Sequence, residues 1–141
     1  MADYNSNTVE IGVGALFPIQ LSKNDAGQQG WYPADGDPAL IENNLRSLIE
    51  YTIGQRFRQE DFGTRLWECI EESNTQALTF MAREFLVEAI RKYESRIQLR
   101  RVTTTQYNQY LYIVMEYWLV GLGQGGSMIL KYNRSTNTLT T

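Results

Sequence analysis

The fold is decided by residues 73–99, which have the sequence SNTQALTFMAREFLVEAIRKYESRIQL. Apolar side chains recur in this stretch at intervals of three and four residues, the spacing of one face of an α-helix. They are Leu78, Met81, Ala82, Phe85, Leu86, Ala89, Ile90 and Tyr93. At the start, Ser73 and Gln76 have the spacing of a capping box. The stretch predicts a long amphipathic helix.

The periodicity changes directly after this helix. Ile97 and Leu99 alternate with Gln98 and Arg100, which is the period of a β-strand. The polar residues 94–96 therefore form a corner between helix and strand. We expect this corner, together with the Gly-Gln-Arg segment at residues 54–56, to be the feature of the chain that says most about its function, which is that of an assembly component and not of an enzyme.

Three strands are predicted from this point onward. Residues 97–105, 110–120 and 127–132 have strand patterns, separated by a polar turn at residues 106–109 and a glycine-rich hairpin loop at residues 121–126. The central strand is apolar on both of its faces, whereas a sheet with one wet side alternates more cleanly. We therefore expect both faces to be covered, one by the helices of the chain and the other by a partner or by the N-terminal arm.

The N-terminal half supplies the remaining elements. Residues 9–21 are predicted to be extended and residues 22–37 to be a loop. Asp37 and Pro38 have the pattern of a helix start, and the helix is expected to end at Gly54. Its predicted buried face consists of Leu40, Ile41, Leu45, Leu48, Ile49 and Ile53. A short helix is predicted at residues 64–71.

These elements predict an α+β fold in which two to three helices pack on a small antiparallel β-meander, with an extended N-terminal arm. The length of 141 residues is that of one domain. We expect residues 1–141 to form that single domain, with flexible tails at residues 1–8 and 134–141.

Composition excludes several classes of function. The chain has one cysteine, Cys69, and no histidine, which removes an intrachain disulfide and all histidine-dependent catalytic and zinc sites. A net charge of −3 argues against a nucleic-acid partner, and no apolar run approaches the ~20 residues that span a bilayer. An all-carboxylate magnesium or calcium site is not removed by this composition. We predict no cofactor, no metal site, no nucleic acid and no membrane partner.

The acidic residues do not predict a hydrolase. A glycosidase needs two carboxylates about 5–9.5 Å apart across a cleft. Glu60 and Asp61 are adjacent in the chain, and Glu68 and Glu72 have the spacing of one helix face, which is more often a solvated surface. We therefore predict no catalytic residues and no enzyme. The alternatives to a structural assembly component are a lysozyme-like cell-wall hydrolase and a free-standing soluble interaction module.

Short motifs along the chain carry a family resemblance. The residues concerned are Phe17, Pro18, Gly54, Arg56, Phe62, Gly63, Glu94, Arg96 and Ile97. In their order and spacing the chain resembles the baseplate wedge and sheath-initiator family of contractile injection machines, which includes contractile phage tails, type VI secretion and related particles. Gln55 stands where that family often has Glu, and Ser95 where it usually has Pro. The resemblance covers about residues 13–132.

The resemblance implies a structural component of a virion tail baseplate, assembled in the host cytoplasm, with a phage tail as the first choice of particle. Its implied partners are other baseplate wedge proteins, the sheath protein, and tail tube or hub proteins. The residues implied to dock on the wedge core bundle are Arg56, Glu94, Ser95 and Arg96. The strands implied to face the sheath, and to template its first ring by strand pairing, carry Tyr110, Tyr112, Trp118, Met128, Leu130 and Tyr132.

One alternative remains open at the corner. Glu94 and Arg96 have the chemistry for directional, charge-assisted hydrogen bonds to a partner. They also have the chemistry for an internal ion pair, for example Glu94 with Arg56, which would hold the helix end to the preceding loop. Ser95 leaves the corner less rigid than a proline would.

Overall fold

The computed structural model describes residues 13–16, 19, 21–23, 26–30, 34–35, 38–73 and 75–140. The N-terminal part contains four two-residue strands, β1 (Val13–Gly14), β2 (Ser22–Lys23), β3 (Gln29–Gly30) and β4 (Ala34–Asp35). The helices are α1 (Pro38–Glu50), α2 (Leu66–Cys69) and α3 (Thr75–Tyr93). The main sheet consists of β5 (Ile97–Tyr107), β6 (Tyr110–Leu119), β7 (Gln124–Asn133) and β8 (Thr138–Thr140). The predicted α+β class is confirmed.

The N-terminal part is more ordered than the predicted arm and loop. β1 pairs with β4, and β2 pairs with β3, both antiparallel. The segment expected to be a loop therefore contains the β2–β3 pair, and its strand β4 returns along β1 of the extended segment. Residues 1–8, Phe17, Pro18 and Asp37 lie outside the described residues.

Helix α1 begins at Pro38, as predicted, but ends at Glu50 instead of at Gly54. The chain leaves the helix because Thr52 pairs with Thr64 in a parallel bridge. Five of the six residues predicted for its buried face are buried, but Ile53 is 44% exposed because it lies beyond the helix end.

Helix α3 carries the predicted apolar face. Leu78, Ala82, Leu86, Ala89 and Ile90 are buried, and the other members of the predicted stripe are partly buried against the same core. The helix begins at Thr75, within two residues of Ser73. The capping box of Ser73 and Gln76 stays a prediction. Helix α3 packs against β5, and its buried stripe belongs to the same core as the inner face of the sheet.

The main sheet has the order β5-β6-β7-β8, and every pair is antiparallel. The inner face of β6, predicted from its alternation, is buried; it consists of Leu111, Ile113, Met115, Tyr117 and Leu119. Both predicted hairpin loops are shorter than expected, because β5 continues to Tyr107 and β7 begins at Gln124.

The predicted three-strand meander has a fourth strand, which lies in the segment expected to be a polar tail. β8 pairs with Lys131–Asn133 of β7, and Leu139 packs against the core. The Tyr132 hydroxyl donates to Asn137 Oδ1 at the turn between the two strands. Arg134 Nη2 donates to the carbonyl oxygen of Ile70 at 3.0 Å, which ties this hairpin to the end of α2.

Gly126 provides a test of packing inside the sheet. A Cβ at this position would lie 2.6 Å from ring atoms of the buried Tyr117, so Gly126→Ala should lower the free energy of unfolding by about 1–3 kcal/mol. A Cβ at Gly125 meets its nearest atom, in the Trp118 ring, at 3.5 Å, so Gly125→Ala is the matched control. Urea unfolding measures both variants, and equal losses of stability would contradict the packing argument.

Candidate partner-docking site

Residues 51–64 form a loop whose two ends are held together. Thr64 N donates to the Tyr51 carbonyl oxygen at 2.9 Å, and Ile53 N donates to the Thr64 carbonyl oxygen at 3.4 Å. Gly63 has a φ of +126°, and a Cβ there would lie 2.5 Å from the Tyr51 carbonyl oxygen. Only glycine fits this closure, which gives a physical reason for the Phe-Gly pair in the motif.

The loop is attached to the C-terminal end of α3. Lys92 Nζ lies 2.5 Å from Asp61 Oδ2. The hydrogen bond from the Lys92 ammonium lowers the pKa of Asp61, and the same bond raises the pKa of Lys92. The Phe62 ring makes an edge contact with Tyr93 at 5.0 Å between ring centroids, and the Arg56 guanidinium lies over Phe62 at 4.3 Å.

These contacts bring two sequence-distant motifs together. Arg56 lies against Phe62, Phe62 lies against Tyr93, and Tyr93 directly precedes the corner at residues 94–96. The Gly-Gln-Arg segment and the helix–strand corner therefore occupy the same end of the molecule. This arrangement gives a candidate docking site made of the loop at residues 51–64 and the corner at residues 94–96.

The corner contains a buried ion pair. Arg96 Nε and Nη2 donate to Glu94 Oε1 and Oε2 at 2.5 and 2.6 Å. The Glu94 side chain is 5% exposed and the Arg96 side chain 24%. Hydrogen bonding to the carboxylate raises the pKa of Arg96. Of the two alternatives left open by the sequence, an internal pair is formed, and the partner of Glu94 is Arg96.

The four predicted docking residues differ in their exposure. Glu94 is buried and accepts both hydrogen bonds from the Arg96 guanidinium. Ser95 and Arg56 are exposed, and Arg96 is partly exposed. An open groove of about 450 Å³ passes Ser95 between α3 and β5, with Ile90, Ile97 and Leu99 among its lining residues.

The outer face of the sheet is a second candidate surface. Tyr110 and Tyr112 are partly buried and Trp118 is 37% exposed. Lys131 Nζ lies 4.2 Å from the Tyr110 ring centroid, and the Arg100 guanidinium lies 5.5 Å from that of Trp118. In the described part of the chain this face is open around Trp118. Its expected cover by a partner or by the N-terminal arm stays a prediction.

Three of the predicted sheath-facing residues lie on the opposite face. Met128, Leu130 and Tyr132 are buried among the core residues. The outward positions of β7 are instead Ser127, Ile129 and Lys131, which pair with the outward positions of β6. Residue alternation along β7 divides its side chains into these two sets. The pattern alone does not say which set faces the helices.

The two long edges of the sheet differ. β5 has a bulge between Leu99 and Arg101 and carries arginines there, two devices that protect an edge from further pairing. β8 pairs with β7 only at Lys131–Asn133. Among the described residues, no strand covers the outer edge of β7 at residues 124–130.

The family model described as baseplate wedge protein gp25 matches residues 37–121. The chain belongs to this family. The matched region includes the loop at residues 51–64, helix α3 and the corner, so the two motifs that the structure brings together are both inside it. This gp25-family chain is a baseplate wedge-type protein of contractile tail systems. A search of curated proteins found no match.

Solved structures show the same fold at low sequence identity. A Geobacter sulfurreducens protein named as a tail lysozyme is 20% identical, with a TM-score of 0.59, over 66% of this chain and 86% of its own. A chain of the anti-feeding prophage baseplate is 20% identical, with a TM-score of 0.55, over 87% of this chain and 86% of its own. A chain of the pyocin R2 post-contraction baseplate is 11% identical, with a TM-score of 0.51, over 81% of this chain and 98% of its own.

Two side chains with potential catalytic chemistry, Glu68 and Cys69, are placed unfavourably for it in this gp25-family chain. Helix α2 ends at Cys69, so Glu68 and Glu72 do not share a helix face as the sequence predicted. Arg65 Nε and Nη2 donate to the two Glu68 oxygens at 2.8 and 2.6 Å, which lowers the pKa of Glu68, whereas a general acid needs a raised one. Burial raises the pKa of the Cys69 thiol to about 11, which makes it a poor nucleophile.

No group of three or more acidic or cysteine side chains is placed to hold a metal ion in the described ranges. None of the helices defined here is long and apolar enough to cross a membrane.

The corner ion pair makes a stability prediction. Glu94→Gln removes the buried carboxylate that binds the partly exposed Arg96 fork and should lower the free energy of unfolding by about 1–3 kcal/mol. The control is Glu68→Gln, which breaks the bidentate but exposed pair with Arg65 and should have a small effect because water screens it. Urea denaturation compares the two, and a larger loss in Glu68→Gln would contradict a buried structural pair at the corner.

The Lys92–Asp61 bridge makes a pH prediction. Because the folded-state pKa of Asp61 lies below its ordinary value of 3.8, the bridge stabilises the fold above pH 3.8 and that contribution is lost as the pH falls through the lower, folded-state pKa. Asp61→Asn should therefore reduce the dependence of the urea midpoint on pH in this acidic range. Glu60→Gln is the neighbouring control, and an equal reduction in that variant would argue against a specific bridge.

Proposed function

We propose that this chain docks on other wedge proteins through the loop at residues 51–64 and the corner at residues 94–96, and that the free edge of β7 receives an extended segment of the sheath protein. The observation that carries the docking proposal is the meeting of the two motifs at one end of the molecule, through the Arg56–Phe62–Tyr93 contacts. The role proposed is structural and not enzymatic.

The exposed chemistry of this end suits a directional interface. Arg56 and Ser95 present hydrogen-bonding groups to solvent, and Glu94 holds the Arg96 guanidinium in one orientation. Guanidinium groups that are oriented in advance lose less entropy when a partner binds. The groove beside Ser95 is lined in part by apolar residues, and a side chain of the partner can enter it.

The edge of β7 supports the sheath proposal. Backbone groups of an uncovered strand accept a further strand, and pockets between alternate side chains give specificity. Residues 124–130 carry no charged side chain, in contrast to the bulged and arginine-bearing edge of β5. Tyr110, Tyr112 and Trp118, on the adjoining outer face, offer aromatic surface to the same partner.

We also propose that the chain lies in a virion tail baseplate that is assembled in the host cytoplasm, with tube or hub proteins as further neighbours. A free-standing interaction module would run as a lone monomer and be absent from purified particles. Mass spectrometry of contractile particles, with and without sheath, distinguishes the two, since a wedge protein keeps a fixed ratio to sheath-free baseplates.

Docking through Arg96 is tested by a conservative change. Arg96→Lys keeps the charge but loses the planar fork, so incorporation into baseplates should fall about 10–100-fold, the effect of losing charge-assisted hydrogen bonds. Arg96→Glu is unsuitable, because it would place a second carboxylate against the buried Glu94. Arg46→Lys, on the exposed side of α1, is the control. Normal incorporation of folded Arg96→Lys protein would refute this docking role.

Strand pairing is tested by covering the edge of β7. Insertion of alternating threonine and valine residues directly after Thr140 would extend β8 along residues 124–130, because the β7–β8 pairing is antiparallel. Baseplates carrying this variant should incorporate the chain but fail to start sheath assembly. A glycine-serine insertion of equal length is the control. Sheath assembly on baseplates with the strand-forming insertion would overturn the strand-pairing proposal.

A further inference from the structure

The tip of the loop at residues 51–64 exposes a phenylalanine. Phe57 is 86% exposed, and no other large apolar side chain in the described ranges is exposed to that degree. A fully solvated aromatic ring contributes little to the stability of the chain that carries it. Aromatic side chains in this situation are instead typical anchors of protein–protein interfaces.

The backbone beneath this ring is held in place. Gly54 N donates to the Glu60 carbonyl oxygen at 2.6 Å, and Gln59 N donates to the Arg56 carbonyl oxygen at 3.3 Å. Arg58 has a φ of 65°, a left-handed conformation that is unfavourable for a residue with a side chain and persists only where the surroundings impose it. The exposed ring is therefore presented by an organised loop.

Two cations flank the ring. Arg56 precedes Phe57 and lies over Phe62, and Arg58 follows it with its guanidinium 5.5 Å from the Phe57 ring centroid. A complementary surface would have an apolar pocket for the ring and carboxylates at the rim of that pocket. Such a pocket would exclude water from the contacts with both guanidinium groups.

We propose that Phe57 is the apolar anchor of the docking site and inserts into an acid-rimmed apolar pocket of another baseplate protein. This inference rests on the proposed docking function and names the chemistry of the partner surface. A protein pocket is favoured over an anionic lipid surface, because a pocket can place its carboxylates opposite Arg56 and Arg58 alone, whereas a uniformly anionic surface would also meet Glu60 and Asp61 on the same loop.

A photo-cross-linking experiment tests the identity of the occupant. The full chain, with benzoylphenylalanine at position 57, is incorporated into baseplates in the source organism, irradiated, and analysed by peptide mass spectrometry. The expected product joins position 57 to one peptide of another baseplate protein with Asp or Glu among the nearest residues. Position 80 is the control, since Phe80 is 66% exposed on α3. Cross-links only to a second copy, only to lipid, or to no molecule would overturn the proposal.

A pair of substitutions measures the contribution of the ring. Phe57→Ala should reduce incorporation into baseplates at least tenfold without changing the urea midpoint, and Phe80→Ala should change neither. If Phe57→Ala is incorporated normally while Arg96→Lys is not, the anchor is refuted and the proposed docking function stands. Normal incorporation of both variants would refute the docking function itself.

Discussion

Burial of one apolar stripe of α3 against the inner face of the sheet is the interaction on which the rest of the structure depends. Leu78, Ala82 and Leu86 are inaccessible to solvent, as are Ile113 and Met115 of β6 in the same core. This layer fixes where the C-terminal end of α3 lies. The loop at residues 51–64 and the corner at residues 94–96 are both attached to that end, so the geometry of the candidate docking site follows from the packing of one helix.

The corner holds a charge pair whose carboxylate is buried and whose guanidinium is partly exposed. Burying Glu94 and Arg96 costs desolvation energy that their attraction only partly offsets, so such pairs are seldom the cheapest way to stabilise a core. The pair does, however, fix the direction of a guanidinium at the position where the chain turns from helix to strand. Here Ser95 stands between the two charges, which are joined by two hydrogen bonds.

Much of the fold could be predicted from local patterns, and the misses have physical causes. The stripe of α3 and the inner face of β6 were correct because burial on one face imposes a period of 3.6 or 2 residues on the sequence. The end of α1 was missed because the chain leaves the helix to pair with Thr64, a residue beyond the loop. Strand β8 was missed because Thr138–Thr140 is polar apart from Leu139, whose burial depends on a hairpin that Tyr132 and Asn137 hold.

The sequence by itself determined the α+β class, the amphipathic helix and the placing of charged residues at its end, because each of these depends on residues close together in the chain. Only the tertiary structure decided that Glu94 binds Arg96 and that Arg56 lies at the same end. It also decided that Phe57 stands in solvent and that Met128, Leu130 and Tyr132 face the core. These facts depend on which distant segments meet. A period of two residues leaves both faces of a strand possible, and only the helix packed on one side makes the choice.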